Sequence, residues 1–270
     1  MTPRSLLNIS LALFFSVCLS GAAYPGDVED GIDAFERGDF TVALEKFSGP
    51  AESGNAQAQH NLGVMYFTGS GVKQDYVTAA KWYAKAAENG YSDARTALGA
   101  MYYEGNGVPL DYETAINLFK QAAEEGHAGA QYNLGVIYHE NAEKPEDYVE
   151  AASRFRSAAN EGHAGAQYNL GVMYVNGVGL RRDYVEALRW FEKASNEGHA
   201  GARYNLGIMH LTGSGVPKDY ASAYAWVSLA AAGGNKQAEE NLENILIRMT
   251  SEEKEKARAL IKEWTNQDKK

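Results

Sequence analysis

The sequence predicts an all-α solenoid built from 36-residue helix-turn-helix repeats, and three observations carry that prediction. The first is a constant stride. Leu62, Leu98, Leu134, Leu170, Leu206 and Leu242 stand 36 residues apart, and so do Ala58, Ala94, Ala130, Ala166, Ala202 and Ala238. A further alanine series, Ala43, Ala79, Ala115, Ala151, Ala187 and Ala223, keeps the step, as does the glycine series Gly54, Gly90, Gly126, Gly162, Gly198 and Gly234. Self-similarity of this kind marks units that cannot bury an apolar face alone and must stack. The second observation is helical periodicity inside each unit. Ala58, Leu62, Met65 and Tyr66 fall on one helical stripe, and Ala130, Leu134, Ile137 and Tyr138 repeat it. A second stripe follows, as Ala79, Tyr83 and Ala86 or Ala187, Phe191 and Ala194.

The third observation is punctuation. Asp75, Asp111, Asp147, Asp183 and Asp219 stand where a second helix should begin, and a carboxylate there can accept the free backbone N–H groups. Asp147 with Glu150 and Asp183 with Glu186 have the spacing of a capping box. The module-ending glycines suit the left-handed residue that closes a helix. Gly63, Gly99, Gly135, Gly171 and Gly207 instead fall mid-helix, where glycine costs about 1 kcal/mol relative to alanine. A cost repeated five times predicts a recurring close approach of the two helices.

Taken in order, residues 1–23 read as a secretory signal peptide: Arg4, an apolar run from Leu6 to Leu19, then small residues suited to cleavage after Ala22 or Ala23. The run is shorter than the roughly 20 apolar residues that span a bilayer, and Pro25 and Gly26 follow it. Cys18, the only cysteine, lies in the segment to be removed, so no disulfide is expected. A periplasmic or secreted location is expected, with no transmembrane segment after cleavage. Residues 24–54 form a divergent first helix pair with the short turn Arg37-Gly38-Asp39. Five full modules follow at 55–90, 91–126, 127–162, 163–198 and 199–234. Residues 235–270 are the terminal unit, with Glu243 in place of the mid-helix glycine and a strongly polar last helix from Ser251 to Trp264. A solenoid ends this way, on a face that meets water.

With 270 residues, 45% of them hydrophobic and 22% charged, the chain can build a core. Its 35 acidic against 25 basic residues give a net charge of −10, which argues against a surface that tracks nucleic-acid phosphates.

The recurring pattern Ala-x-x-x-Leu-Gly-x-x-Tyr, then Gly-x-Gly-Val-x-x-Asp-Tyr, then Ala-x-x-Trp-x-x-x-Ala-Ala-x-x-Gly resembles the Sel-1-like repeat family, a relative of the tetratricopeptide repeat. Ala58, Leu62, Gly63 and Tyr66, then Gly69, Gly71, Val72, Asp75 and Tyr76, then Ala79, Trp82, Ala86, Ala87 and Gly90 carry it in one module. It runs over essentially the whole chain beyond the leader. The resemblance implies a right-handed superhelix whose first helices line a concave face, and a role as an adaptor in assembly or signalling in the bacterial envelope. One cysteine-rich secreted branch is similar to proteins described as binding penicillin and slowly hydrolysing β-lactams. This chain lacks the helix-pair cysteines of that branch, which sets it apart from the hydrolases.

Candidate chemistry is sparse. The segments Gly69-Ser70-Gly71, Gly105-Asn106-Gly107, Gly177-Val178-Gly179 and Gly213-Ser214-Gly215 lack the preceding strand and the Gly-Lys-Ser/Thr ending of a phosphate cradle, and read as interhelix turns. The fourth module replaces this turn with an irregular stretch, His139 to Glu146. His127, His163 and His199 also keep the 36-residue step, but packed helices lie about 8–10 Å apart, too far for equivalent histidines to share one ion. They read as an element that opens each module, and no metal or cofactor is expected. His139-Glu140 lacks the second histidine of a zinc-protease helix. Ser251 and Lys254 have the spacing of a penicillin-binding motif, yet they open the terminal helix just after Thr250, which pairs with Glu253 as a capping box.

A ligand would sit on the free face of the first helices. The candidate contacts are Asn61, Asn133, Asn169 and Asn205, the tyrosines Tyr132, Tyr168 and Tyr204, and, further along, Tyr103 and His139. Asparagine offers donors and acceptors to a peptide backbone, and tyrosine gives rigid area with a polar tip. The competing reading is structural: the amides bond a neighbouring repeat and the tyrosines pack between helices. Thr96 and Ala97 interrupt both rows in the third module. The sequence therefore predicts a non-enzymatic scaffold for a protein or peptide partner. A β-lactam hydrolase and a peptidoglycan-associated structural protein are the alternatives.

Overall fold

The computed structural model describes residues 25–267. The expected leader at 1–23 and Cys18 lie outside the described residues. Among the described residues there are fourteen α-helices and no strand. They are α1 (Pro25–Glu36), α2 (Phe40–Glu52), α3 (Ala56–Thr68), α4 (Tyr76–Glu88), α5 (Ser92–Glu104), α6 (Tyr112–Glu124) and α7 (Ala128–Glu140). Then follow α8 (Pro145–Asn160), α9 (Ala164–Asn176), α10 (Tyr184–Asn196), α11 (Ala200–Thr212), α12 (Tyr220–Ala232), α13 (Lys236–Leu246) and α14 (Ser251–Gln267). The prediction of an all-α repeat of helix hairpins is met.

The chain divides into two units, one ending at Leu134 and the other beginning at Gly135. In the first, α1/α2, α3/α4 and α5/α6 pair as hairpins, and α2 packs on α3 as α4 packs on α5. In the second, α8 packs on α9, α9/α10 and α11/α12 pair, α10 packs on α11, and α12 carries both α13 and α14. The helix α7 spans the boundary.

Each hairpin is closed by one glycine and one large side chain. A Cβ on Gly63 would lie 2.6 Å from the Tyr83 ring, and one on Gly99 would lie 2.8 Å from Phe119. Gly135 meets Phe155, Gly171 meets Phe191 and Gly207 meets Val227 in the same way. The five partner side chains are buried, so they cannot swing aside. The helix-propensity cost of these glycines is thus offset by a ring or branched side chain seated on bare backbone. Gly31 and Phe47 make the identical contact, at 2.6 Å, which shows that the divergent first pair is built like the rest.

The Gly-x-Gly turns do two jobs. The first glycine ends the first helix in the left-handed conformation, as at Gly69 (φ 77°), whose N–H bonds the Met65 carbonyl. The second accepts the preceding module's backbone: a Cβ on Gly107 would lie 2.3 Å from the Tyr76 carbonyl carbon, and one on Gly179 would lie 2.1 Å from the Tyr148 carbonyl oxygen. These loops are contact seats between modules.

Four of the five expected aspartate caps are in place, since Asp75, Asp111, Asp183 and Asp219 each accept backbone N–H groups at the start of a second helix. Asp147 does not. Pro145 occupies the first helical turn and starts α8 three residues early, so the cap position falls to Lys144 and Asp147 reaches back to the N–H groups of Glu143 and Lys144. The stretch expected to be irregular from His139 to Glu146 therefore shrinks to 141–144. Neither expected Asp–Glu pairing is made by the glutamate side: Glu150 bonds Arg154 and Glu186 bonds Arg189.

At the C-terminal end Thr250 and Glu253 do form a capping box, with Thr250 N–H donating to Glu253 at 2.7 Å and Glu253 N–H donating to Thr250 Oγ1 at 3.2 Å. Trp264 of α14 stacks on Trp226 at 4.2 Å, and Lys256 bonds the cap carboxylate Asp219 at 2.7 Å. With burial pushing up and these hydrogen bonds pulling down, the Asp219 carboxyl ends at about 2.

Candidate functional site

The first helices open on a recurring cap. Asn55 Oδ1 accepts the Ala58 N–H at 2.9 Å and Asn235 Oδ1 accepts the Ala238 N–H at 2.9 Å. In the modules between, the same bond is made by an imidazole: Nδ1 of His127 accepts from Ala130 at 3.0 Å, Nδ1 of His163 from Ala166 at 3.1 Å, and Nδ1 of His199 from Ala202 at 3.1 Å. The histidine series is therefore a set of helix caps. Among the described residues no group of three His, Cys, Asp or Glu side chains could hold a metal ion.

His127 has the richest surroundings. Its Nε2 lies 2.7 Å from Asp93 Oδ1 and its Nδ1 lies 3.1 Å from Thr96 Oγ1, an order of acid, imidazole and hydroxyl that resembles a nucleophile relay. The chemistry is already committed elsewhere. The Nδ1 lone pair receives the Ala130 N–H, and the buried Thr96 hydroxyl also lies 3.0 Å from the Ser92 carbonyl. Burial, the largest single effect, pushes the Asp93 carboxyl up, but the His127 hydrogen bond and charge, with His60 and Tyr91, together hold Asp93 below the usual carboxylate range. Beside this group Glu125 takes hydrogen bonds from Ser92 and Arg95.

A second recurring element escaped the sequence reading. The residue next in line donates to the last turn of the preceding module: Gln59 to Ala51 O at 3.0 Å, Gln131 to Ala123 O at 2.9 Å, Gln167 to Ala159 O at 3.2 Å and Arg203 to Ser195 O at 3.2 Å. These bonds satisfy carbonyls that a helix end leaves open. Gln59, Gln131 and Gln167 stand at multiples of 36 residues, with Arg95 between the first two, and that spacing was a legible signal for them.

The candidate contact residues separate into three groups. Asn61 and Asn133 are 3% and 1% exposed, and neither Asn61 Nδ2 nor either amide atom of Asn133 has a hydrogen-bond partner. Their amides are out of a partner's reach. Tyr103 and His139 pack edge-on against a tyrosine in the first turn or so of the next helix, Tyr112 at 5.0 Å and Tyr148 at 5.4 Å between ring centroids. Phe67 and Tyr76 make the same pair at 5.1 Å, so this contact belongs to hairpin closure. The remaining group, Tyr132, Tyr168, Asn169, Tyr204 and Asn205, is half-buried with one side open. Tyr168 lies flat on His199 at 4.4 Å, and the Tyr204 hydroxyl accepts from Asn241, the next asparagine in the series, at 2.9 Å.

On α9 the part-exposed stripe continues from Tyr168 and Asn169 through Val172 to Val175, and on α11 from Tyr204 and Asn205 through Ile208 to Leu211. Neither stripe carries a charged residue.

Sel1 repeats match residues 56–91, 92–127, 128–163, 164–199 and 200–235. The chain belongs to the Sel1 repeat family. The matched segments run one residue behind the modules read from the glycine series. A crystal structure of a Sel1 repeat protein from Oxalobacter formigenes is similar over 92% of this chain and 98% of its own, at 27% identity and a TM-score of 0.74. The Pseudomonas aeruginosa protein 5086 aligns over 82% of this chain and 88% of its own, at 22% identity and a TM-score of 0.53, a likeness of fold. A protective antigen of uropathogenic Escherichia coli strains with an SLR fold aligns over 90% of this chain and 68% of its own, at 26% identity and a TM-score of 0.46. No curated protein matches the chain. The Sel1 repeat array is a protein-interaction scaffold, and among the described residues no helix is long and apolar enough to cross a membrane.

Proposed function

We propose that this Sel1 repeat protein is a non-enzymatic adaptor of the cell envelope that holds an extended protein or peptide segment on the open stripes of its first helices. One observation carries the reading: α9 and α11 repeat an uncharged Tyr-Asn-aliphatic stripe that stays part-exposed in both helices. Tyrosine and asparagine there can meet backbone amides while Val172, Val175, Ile208 and Leu211 offer apolar area, a combination suited to a neutral strand of chain. The contact set is Tyr168, Asn169, Tyr204 and Asn205. The leader motif of residues 1–23 supports export to the periplasm or beyond.

A photo-crosslinking amino acid placed at Asn169 or Asn205 in the native cell, with Val185 on the second helix α10 as the control position, tests the reading. Val185 is 50% exposed, so it reports unspecific encounter. Adducts to a defined partner at the two asparagine positions and not at Val185 are the expected result. Equal labelling at all three positions would remove this face from the interaction. Turnover of a chromogenic β-lactam by the purified chain, abolished by a single substitution, would replace the adaptor reading with the hydrolase.

A further inference from the structure

Three first helices, α7, α9 and α11, begin on an imidazole cap, whereas α3 and α13 begin on asparagine at the same register. The distinction is chemical. An amide oxygen accepts a backbone N–H at any ordinary pH, but an imidazole nitrogen accepts one only while it is unprotonated. Adding a proton to Nδ1 places two N–H groups against each other and sets a positive charge at the positive end of the helix. We infer that His127, His163 and His199 form a pH-sensitive set of helix caps that releases the starts of α7, α9 and α11 as the surroundings acidify, while α3 and α13 stay fixed.

The surroundings of the rings differ. His199 lies flat against Tyr168, with the carboxylate-bearing Glu197 two residues before it on an exposed turn. Burial favours its neutral form and lowers its pKa, with a smaller opposing pull from the backbone. The folded state therefore binds this proton less readily than the unfolded chain. The cap is at full strength above the ordinary histidine value of about 6.5 and is lost as the pH falls through the lower folded value. His163 makes the same 3.1 Å bond, with Glu161 two residues before it. His127 faces Asp93, with Arg95 and Glu125 paired alongside, and it acts through space on His60. Because α7, α9 and α11 carry Tyr132, Tyr168 and Tyr204, acidity would act on the helices that bear the open contacts.

Amide hydrogen exchange of the full chain tests the inference without any partner. Protection at Ala130, Ala166 and Ala202 is compared with protection at Ala58 and Ala238, at about pH 7.5 and about pH 5, each corrected for intrinsic exchange. The ratio should fall roughly five- to thirtyfold on acidification, the scale of one lost cap with an unfavourable charge added. The triple variant His127→Asn, His163→Asn, His199→Asn copies the caps of α3 and α13, and should keep the ratio constant. An unchanged ratio in the natural chain would overturn the inference. So would a variant that retains the fall, since another group such as His60 would then be responsible. The comparison within the natural chain stands even where the variant does not fold.

Discussion

The helices α3 and α9 share the triplet Asn-Leu-Gly at the same register, yet their surroundings are opposite. In α3 every residue from Ala58 to Met65 is buried, and in α5 every residue from Thr96 to Met101. In α9 and α11 Tyr168, Asn169, Val172, Tyr204, Asn205 and Ile208 keep one side open. Where α9 and α11 place a half-open tyrosine, α3 has His60 wedged between the rings of Tyr83 and Tyr91, at 5.4 and 5.1 Å. Repetition in sequence thus fixes how a hairpin closes, while exposure of its free face depends on what each module packs against. The helices α3 and α5 of the first unit spend that face on internal contacts, and α9 and α11 of the second leave it available.

If hairpin closure is the same in both units, emptying its centre should cost the same in each. Tyr83→Ala in the first and Phe191→Ala in the second each remove a fully buried ring from its glycine seat. Each should lose roughly 3–5 kcal/mol in chemical denaturation. A large difference between the two would show that the hairpins are not energetically equivalent.

Acid should separate the units next. Burial pushes His60 down to about 4, against the pull of the Asp93 carboxylate and with the help of His127. Its folded pKa is depressed, so the folded state is stable with respect to this group above about pH 6.5 and loses stability as the pH falls toward 4. The loss approaches about 3 kcal/mol as the folded ring itself takes up its proton near pH 4. Unfolding measured across that range should show a matching proton uptake, and His60→Leu should remove this ring's share while leaving that of His139, His199 and His210, which burial also lowers. An uptake undiminished in that variant would show that burial does not hold down the His60 ring.

These two predictions draw on features of unequal legibility. The glycine and its partner ring were readable from the 36-residue step and the helical stripes, since a mid-helix glycine has few other reasons to recur. The aspartate caps were readable too, except at Asp147, where Pro145 was the overlooked start signal. Gln59, Gln131 and Gln167 were visible as a series, but their carbonyl acceptors lie in the preceding module and only packing brings them near. The fate of the asparagines was not readable at all. Asn61, Asn133 and Asn169 stand in the same triplet, and burial of the first two comes from neighbours that the triplet does not encode.

A milder change tests the seat itself. Gly63→Ala and Gly171→Ala each gain about 1 kcal/mol of helix propensity, but the new methyl would stand 2.6 Å from a buried ring. Overpacking of this kind costs roughly 1–3 kcal/mol, so both variants should be net destabilised or close to neutral, and by similar amounts. Clear stabilisation of either would mean that its ring can retreat, and that the close approach does not explain the glycine.

The smallest effect sharpens the comparison most. Leucine is close in shape to asparagine, and at Asn61 it would replace a buried amide whose Nδ2 has no hydrogen-bond partner. Removing an unsatisfied donor while keeping the volume should leave stability unchanged or raise it by about 1 kcal/mol. At Asn169 the same substitution meets a half-open surface and should shift stability by less than about 0.5 kcal/mol. Partner capture should follow the opposite order, preserved in Asn61→Leu and weakened in Asn169→Leu. Thermal melts and crosslinking yields from the same two variants check both halves. Loss of capture in Asn61→Leu, with Asn169→Leu unaffected, would place recognition on the first unit and reverse the assignment of the two faces.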